Sequence, residues 1–516
     1  MDTDEHRFCL SVVYYGQVNS VNLIFTGSVL ACFFPKKYEP FAVGRSLILQ
    51  EVVFLYRSLH TGGFPMQKIL YTLFMFLLLQ QTGFADVPIN YYVSPGGVDA
   101  NNTCTNSAVP CRSIKTALKQ VTHTKSFINI ARGAYTETGM EILPGQNVTF
   151  VGGWISDFSE QTCNPAGTTI IAGNKENRDE LFWINNQDNG QPADLTIKCL
   201  SLKKLSSDYI KSAVDIYAGS GGESNLTMDH TRITGFPDYA IDTYAVGNGK
   251  ISTVINYTTI NHNGSKYDTM YIGASDGENT LHMDHVSIIQ NGTAQNNRHI
   301  LAINSFSSGT IKAFLRNTIL AENQTGNASP FQVETQNTST ISLASINNTI
   351  TDNFNSRWRG YGFSALAFNT SHLMLTFKNT ILYGNHGSAQ DKELYFQQEG
   401  NGSSLNFTAD YCMLGSHSIS GSVSYSSTNE VHGDPLLNST YHLKKGSAAI
   451  DAGICGIYTL PPNSFYIPLA PLDDIDGDKR PSNDGKLFGC DIGADEFKTF
   501  SWPMFLPAIV HQRLNP

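Results

Sequence analysis

The sequence predicts an all-β fold, a right-handed parallel β-helix solenoid, on three observations: a short phrase recurs, each copy alternates apolar and polar residues, and the copies align in columns of like residues. The phrase is apolar, any, apolar, any, then most often Asn, His or Tyr. It reads Leu195-Thr-Ile197-Lys-Cys199, Leu226-Thr-Met228-Asp-His230, Thr253-Val-Ile255-Asn-Tyr257 and Leu281-His-Met283-Asp-His285. It continues as Ala313-Phe-Leu315-Arg-Asn317, Ala344-Ser-Ile346-Asn-Asn348, Leu375-Thr-Phe377-Lys-Asn379 and Phe407-Thr-Ala409-Asp-Tyr411, a period of 27 to 32 residues. Alternation with period two is the mark of a strand with one buried face. No copy buries that face alone, and stacking the copies builds one continuous core. A helical solenoid is excluded because no 3.6-residue period is present. A propeller blade needs about 40–50 residues, and the phrase of a leucine-rich repeat is absent.

The columns carry the second layer of the argument. Asn263, Asn291, Asn323, Asn353 and Asn385 close most copies near a turn. An amide both donates and accepts, so Asn repeated at about 4.8 Å can form a ladder from rung to rung. Asn317, Asn348 and Asn379 are expected at equivalent positions on successive rungs, pointing in toward a corner. His230 and His285 fall in that same column, and are therefore read as stacked members of the corner rather than as bases.

The elements along the chain follow from composition. Residues 1–65 hold two Asn among about forty in the whole chain, and read as over-extended upstream translation or a separate N-terminal segment. From Met66 the text becomes Lys68, an apolar run Ile69–Leu79 and Thr82-Gly-Phe-Ala85. That is a basic region, an apolar region and a small-residue cleavage site, so 66–85 is expected to be a signal peptide and Met66 the true start. The run is shorter than the roughly 20 residues of a membrane span. An N-terminal cap is placed at 86–125, the solenoid at 126–440, a C-terminal module at 441–497 and a tail at 498–516.

The chain of 516 residues carries 34 basic and 44 acidic groups, a net charge of −10. Hydrophobic residues make up 41 % and charged residues 15 %, so there is ample material for a core and global disorder is excluded. An acidic chain without a basic run is not a nucleic-acid binder, and a monomer is expected. Seven cysteines follow Ala85. Cys104 with Cys111, and Cys455 with Cys490, are the expected disulfides, with Cys163–Cys199 a weaker third pairing; an odd number leaves at least one thiol free.

Tyr91-Tyr-Val-Ser-Pro-Gly-Gly97, followed by Cys104 and Cys111-Arg-Ser-Ile-Lys-Thr-Ala-Leu118, resembles the entry segment of secreted proteins with the pectin-lyase-like β-helix fold. That resemblance implies an N-terminal capping helix at Ile114–Val121. Gly446-Ser-Ala-Ala-Ile-Asp-Ala-Gly453, Asp474-Ile-Asp-Gly-Asp-Lys-Arg-Pro481 and Asp491-Ile-Gly-Ala-Asp-Glu-Phe497 resemble the choice-of-anchor Q module. It implies a bacterial exported or cell-surface protein, of a family mostly without assigned activity. The apolar tail Trp502–Val510 is too short to span a membrane.

Two clusters carry candidate chemistry. Outward residues beside the corner read Lys198, Asp229, Asn256, Asp284, Arg316, Asn347, Lys378 and Asp410. Asp229 and Asp284, two rungs or roughly 9–10 Å apart, are near the upper separation for an inverting glycosidase pair. Arg316 and His282 lie close by, and a cation over carboxylates also suits uronate chemistry. Asp229, His282, Asp284 and Arg316 are therefore the catalytic candidates, against the alternative of a solvated polar wall. Asp474, Asp476 and Asp478 alternate beside a glycine, as a calcium site requires, with Asp491 and Asp495 as further ligands; the alternative is a turn in which Asp accepts backbone N–H bonds. The function expected is binding or a structural role at a surface, toward glycans, with a polysaccharide lyase or glycoside hydrolase as the alternative.

Overall fold

In the computed structural model the described residues are Cys9–Val12, Val29–Cys32 and 87–498, apart from 123–124, 138, 174–178, 188–189, 205–211, 265, 296–297, 357–360, 388–392, 459–465 and 481–487. The expected signal peptide and the tail beyond Lys498 lie outside them. Residues 1–85 form one unit, in which Cys9–Val12 pairs antiparallel with Val29–Cys32.

Residues 86–516 contain a parallel β-solenoid. The turn that starts at Thr310 shows how one is made. Strand Thr310–Ala321 supplies a first face, bends at Asn317 and continues as a second face; strand Phe331–Thr335 supplies the third. The chain then re-enters the first sheet one rung on, Thr310 pairing with Thr340 and Phe331 with Phe363, both in parallel. Ile311, Ala313 and Leu315 point inward and are buried, while Lys312 and Arg316 are exposed. This is the alternation expected, and it yields one core running from Tyr91 to Leu414. The cap is helix Ile114–Lys119, two residues shorter than expected; Ser113 caps it and Ile114, Ala117 and Leu118 bury into the core.

The bend between first and second faces needs left-handed backbone. Cys199, His230, Tyr257, His285, Asn317, Asn347, Asn379 and Tyr411 all have φ between 44° and 57°. Asn tolerates this conformation better than most residues, and β-branched residues do not. The column corrects the expected alignment in one copy. Arg316 pairs with Ile346 and Ile346 with Lys378, so Asn317, Asn347 and Asn379 are equivalent, and Asn348 belongs one position later with Thr318 and Thr380. In the outward row the place read as Asn347 is accordingly held by Ile346. Asn348 is nevertheless inward and buried, donating to the Leu315 carbonyl at 2.9 Å and accepting the Thr318 N–H at 2.8 Å.

The other Asn column is a ladder. The side-chain amide of Asn263 donates to Asn291, Asn291 to Asn323, Asn323 to Asn353 and Asn353 to Asn385, at 3.2, 3.0, 2.8 and 2.8 Å. Asn385 donates at 2.8 Å to Glu393, whose carboxylate also accepts the N–H groups of Gly384 and Asn385. A Cβ on Gly415 would stand 1.7 Å from Glu393 Cγ, so the glycine leaves room for that terminal acid.

The C-terminal segment packs on the second face, and this overturns the inward direction expected for the corner amides. Ile319 and Ala321 cluster with Tyr441 and Ala494, and Ile381 and Met413 with Leu443, Ala449 and Ile492. Asn317 donates to the Asp473 carbonyl at 3.0 Å, and Asn347 to the carbonyls of Asp491 and Gly493 at 3.0 and 3.2 Å. The corner amides thus face the C-terminal segment, and none of the three has exposed surface. Arg480, also buried, bonds Glu496 at 2.8 Å and reaches the Asn317 side chain at 3.3 Å. Cys104–Cys111, Cys163–Cys199 and Cys455–Cys490 are disulfides, and Cys412 is a buried thiol that burial pushes up to about 12. Among the described residues no helix is long and apolar enough to cross a membrane.

Candidate functional site

The wall read as catalytic is assembled in register. Lys198, Asp229, Asn256, Asp284 and Arg316 stand on consecutive rungs, so Asp229 and Asp284 are two rungs apart. Asp284 is held by its neighbours: Arg316 lies 2.7 Å from Oδ2 and His285 Nδ1 lies 3.0 Å from Oδ1. Burial works to raise its pKa, but hydrogen bonds and charge from His285 and Arg316 outweigh it and hold the carboxyl below its ordinary value. Asp229 is bonded to His230 at 2.8 Å, with Lys198 at 4.0 Å. The rings of His230, Tyr257 and His285 stack down the corner at 4.7 and 4.4 Å, as the ladder reading of these histidines expects. His282 is exposed beside Phe314 at 6.0 Å. The arrangement brings Asp284, Arg316 and His285 together, with Arg316 and Asp284 ion-paired, and leaves Asp229 paired elsewhere.

The cation candidates converge as well. Oxygens of Asp474, Asp476 and Asp478 lie within 4.8 Å of one another, and Asp476 is also grouped with His442 and Asp495. Asp474 already accepts the N–H groups of Asp476, Asp478 and Glu496 at 3.0, 2.8 and 3.0 Å. Asp476 pairs with His442 and Asp478 with Lys498, each at 2.5 Å. Asp495 accepts the Leu443 N–H, and Asp491 accepts those of Asp451 and Phe497. A hard cation held here would take oxygens from Asp474, Asp476 and Asp478 and displace His442 and Lys498. A polar opening of about 420 Å³ lies at the next corner, lined by Gln290, Glu322, Gln324, Asp352 and Phe354.

The third face carries a group that the first-face phrase does not point to. Asp215 and Asp242 are in register on adjacent rungs, with Tyr271 next in the same row. Two residues on, Tyr217, Tyr244 and Gly273 form a parallel row. Ring centroids step from Tyr217 to Tyr244 (6.4 Å), to Tyr271 (6.2 Å), to Tyr239 (6.5 Å) and to Tyr267 (5.5 Å, stacked). A Cβ at Gly273 would stand 2.4 Å from the Tyr244 ring and 2.5 Å from the Tyr271 ring, so the bare backbone lets both rings lie across it. Lys266 and Arg298 flank Tyr267 at 4.9 and 5.9 Å.

Asp242 lies half-buried in this row, in register with Tyr271 and two residues before Tyr244. Its Oδ1 has no accessible surface and no hydrogen-bond partner. Burial raises its carboxyl well above the usual range, and the charges of Asp215, Asp268 and Glu180 raise it further. Asp268 is likewise raised by burial, opposed by His299, whose N–H it accepts at 2.7 Å. A sequence signal for this group exists: Asp215-Ile-Tyr217 and Asp242-Thr-Tyr244 repeat the same three-residue pattern 27 residues apart.

Neither a family model nor a curated protein matches the chain. Among solved structures, the chain is similar to the catalytic domain of a GH87 α-1,3-glucanase in complex with tetrasaccharides, at 11 % identity and a TM-score of 0.21, over 66 % of this chain and 67 % of that one.

Proposed function

We propose that the protein is an exported or cell-surface solenoid that binds polysaccharide across its third face, with a choice-of-anchor Q type module at its C-terminus. The observation that carries this reading is the run of five tyrosines, Tyr217, Tyr244, Tyr271, Tyr239 and Tyr267, laid beside Asp215 and Asp242. A sugar presents apolar C–H faces and polar edges; tyrosine rings meet the former, and carboxylates accept from the hydroxyls. A row of partly exposed rings on adjacent rungs suits an extended chain better than a small molecule. Three disulfides support passage through an oxidising compartment.

The test is affinity electrophoresis of the full chain in gels containing soluble glucans, xylan, mannan or polygalacturonate, with binding constants for any that retard it. Tyr244→Ala is expected to abolish retardation with the fold intact. Gly273→Val, which pushes a side chain into the Tyr244 and Tyr271 rings, is expected to weaken it. Unchanged retardation in both variants refutes this face as the binding surface.

A further inference from the structure

We infer that Asp215 and Asp242 form a hydrolytic pair that cleaves a glycosidic bond of the chain bound across the tyrosine row, with retention of configuration at the anomeric carbon. The inference rests on the binding reading above and names the chemistry of that same face.

Three observations carry it. The two aspartates are register partners on adjacent parallel strands, which places their backbones about 4.8 Å apart with side chains on the same outer surface. Side chains carried one rung apart are closer to the roughly 5–5.5 Å at which one carboxyl acts as nucleophile and the other as acid and base than to the roughly 6.5–9.5 Å that leaves room for a water between them. The second observation is the state of Asp242. Its Oδ1 is closed to water and bonded to nothing, an expensive arrangement for an ionised oxygen and a comfortable one for a carboxyl that keeps its proton. The third is location: Tyr217, Tyr244 and Tyr271 step past the pair, so a chain lying on the rings passes over both carboxyl groups. The Asp229–Asp284 wall offers no such contrast, because Asp284 is held ionised by Arg316 and His285.

The roles follow from the asymmetry. Asp242 gives its proton to the glycosidic oxygen as the C1–O bond breaks, and an Asp215 oxygen attacks C1 to form a glycosyl ester. Asp242, now a carboxylate, takes a proton from a water whose oxygen attacks C1. The ester bond breaks, the sugar leaves with a free reducing end, Asp215 regains its charge and Asp242 its proton. The net reaction consumes one water and needs no other reactant. The groups that set the proton on Asp242 are Asp215, Asp268 and Glu180; Tyr239, Tyr244 and Tyr271 surround the site, and Arg298 and His299 act on Asp268.

The experiment uses the full chain with whichever of the glucans, xylan, mannan or polygalacturonate it binds, following reducing ends and the anomer first released by NMR. The expected result is hydrolysis with the starting anomer released first, and a rate that falls as pH rises through the titration of Asp242. Asp242→Asn and Asp215→Asn should each lower turnover about 10²–10⁴-fold at saturating polysaccharide, with melting curves that match the parent. Azide added to Asp215→Gly should restore cleavage and give a glycosyl azide of inverted configuration. If the parent binds a glycan and cleaves none, or the Asn variants cleave at the parental rate, or the opposite anomer appears first, the hydrolytic pair is refuted and the binding surface stands. If no glycan is bound, the binding reading fails and the pair falls with it.

Discussion

The side chain of Asn379 pairs with the backbone of Ile454 in both directions, donating to its carbonyl at 2.8 Å and accepting its N–H at 3.0 Å. An amide side chain here does what a neighbouring strand would do, and it does so across 75 residues of sequence. Asn379 also donates to Asn347 at 3.2 Å. The corner column is thus a seam that fastens the C-terminal segment to the solenoid.

Asn379→Leu should loosen that seam. It leaves the Ile454 N–H and carbonyl buried without partners, a cost of about 1–3 kcal/mol. Limited proteolysis should cut within residues 441–497 sooner than in the parent, with the solenoid still intact. Equal cutting rates in the two proteins would show that the seam holds nothing.

Asn348→Leu should be destabilising through a different route. The Thr318 N–H loses its acceptor and the Leu315 carbonyl a donor, again about 1–3 kcal/mol. Because a solenoid's stability is a sum of neighbour terms, amide exchange should accelerate at Thr318 and the adjoining rungs and remain slow near the cap.

Glu137 gives the cap a pH dependence. Burial raises its carboxyl from 4.5 to about 6, although the N–H groups of Ile114 and Lys115 stabilise the charge. The folded state therefore holds the proton more tightly than the unfolded chain. The stability it contributes is complete below about 4.5 and is lost as pH rises to 6, a change of about 2 kcal/mol. Urea unfolding of the parent minus that of Glu137→Gln, taken at pH 4 and pH 7, should show this difference; a pH-independent difference would contradict it.

Arg316→Ala should release Asp284. The carboxyl loses the cation at 2.7 Å, and its titration, followed by NMR, should move upward. Stability should change by about 1 kcal/mol or less, because Arg316 is half exposed and such pairs contribute little.

The rung phrase made the solenoid readable because each copy must bury one face and repeat the left-handed corner. It failed at one copy, where Ile346-Asn347-Asn348 offers two Asn in succession and the phrase fits either. The left-handed corner selects Asn347, and a one-residue slip turns every side chain of that strand to the other face. The direction of the corner amides was not readable at all. Their partners lie 75 to 156 residues away, and nothing local in Asn317 or Asn379 announces a covering segment. The tyrosine face escaped for another reason: alignment on first-face strands gives no weight to the third, where the Asp-x-Tyr pattern sits.

Every amide in the inner ladder donates in the same sense, from Asn263 toward Asn385, and the series stops at a carboxylate. The ladder is therefore a polar wire with a positive-to-negative direction, and Glu393 is its terminator. A copy of an Asn-bearing rung could be spliced into the middle without disturbing that logic, since each amide hands on the same bond it receives. The far end is different. Extending the coil beyond Asn385 would need a new acceptor, and with Glu393 and Gly415 both committed to ending the series, the number of rungs that carry the ladder is written into one acidic residue and the gap left for it.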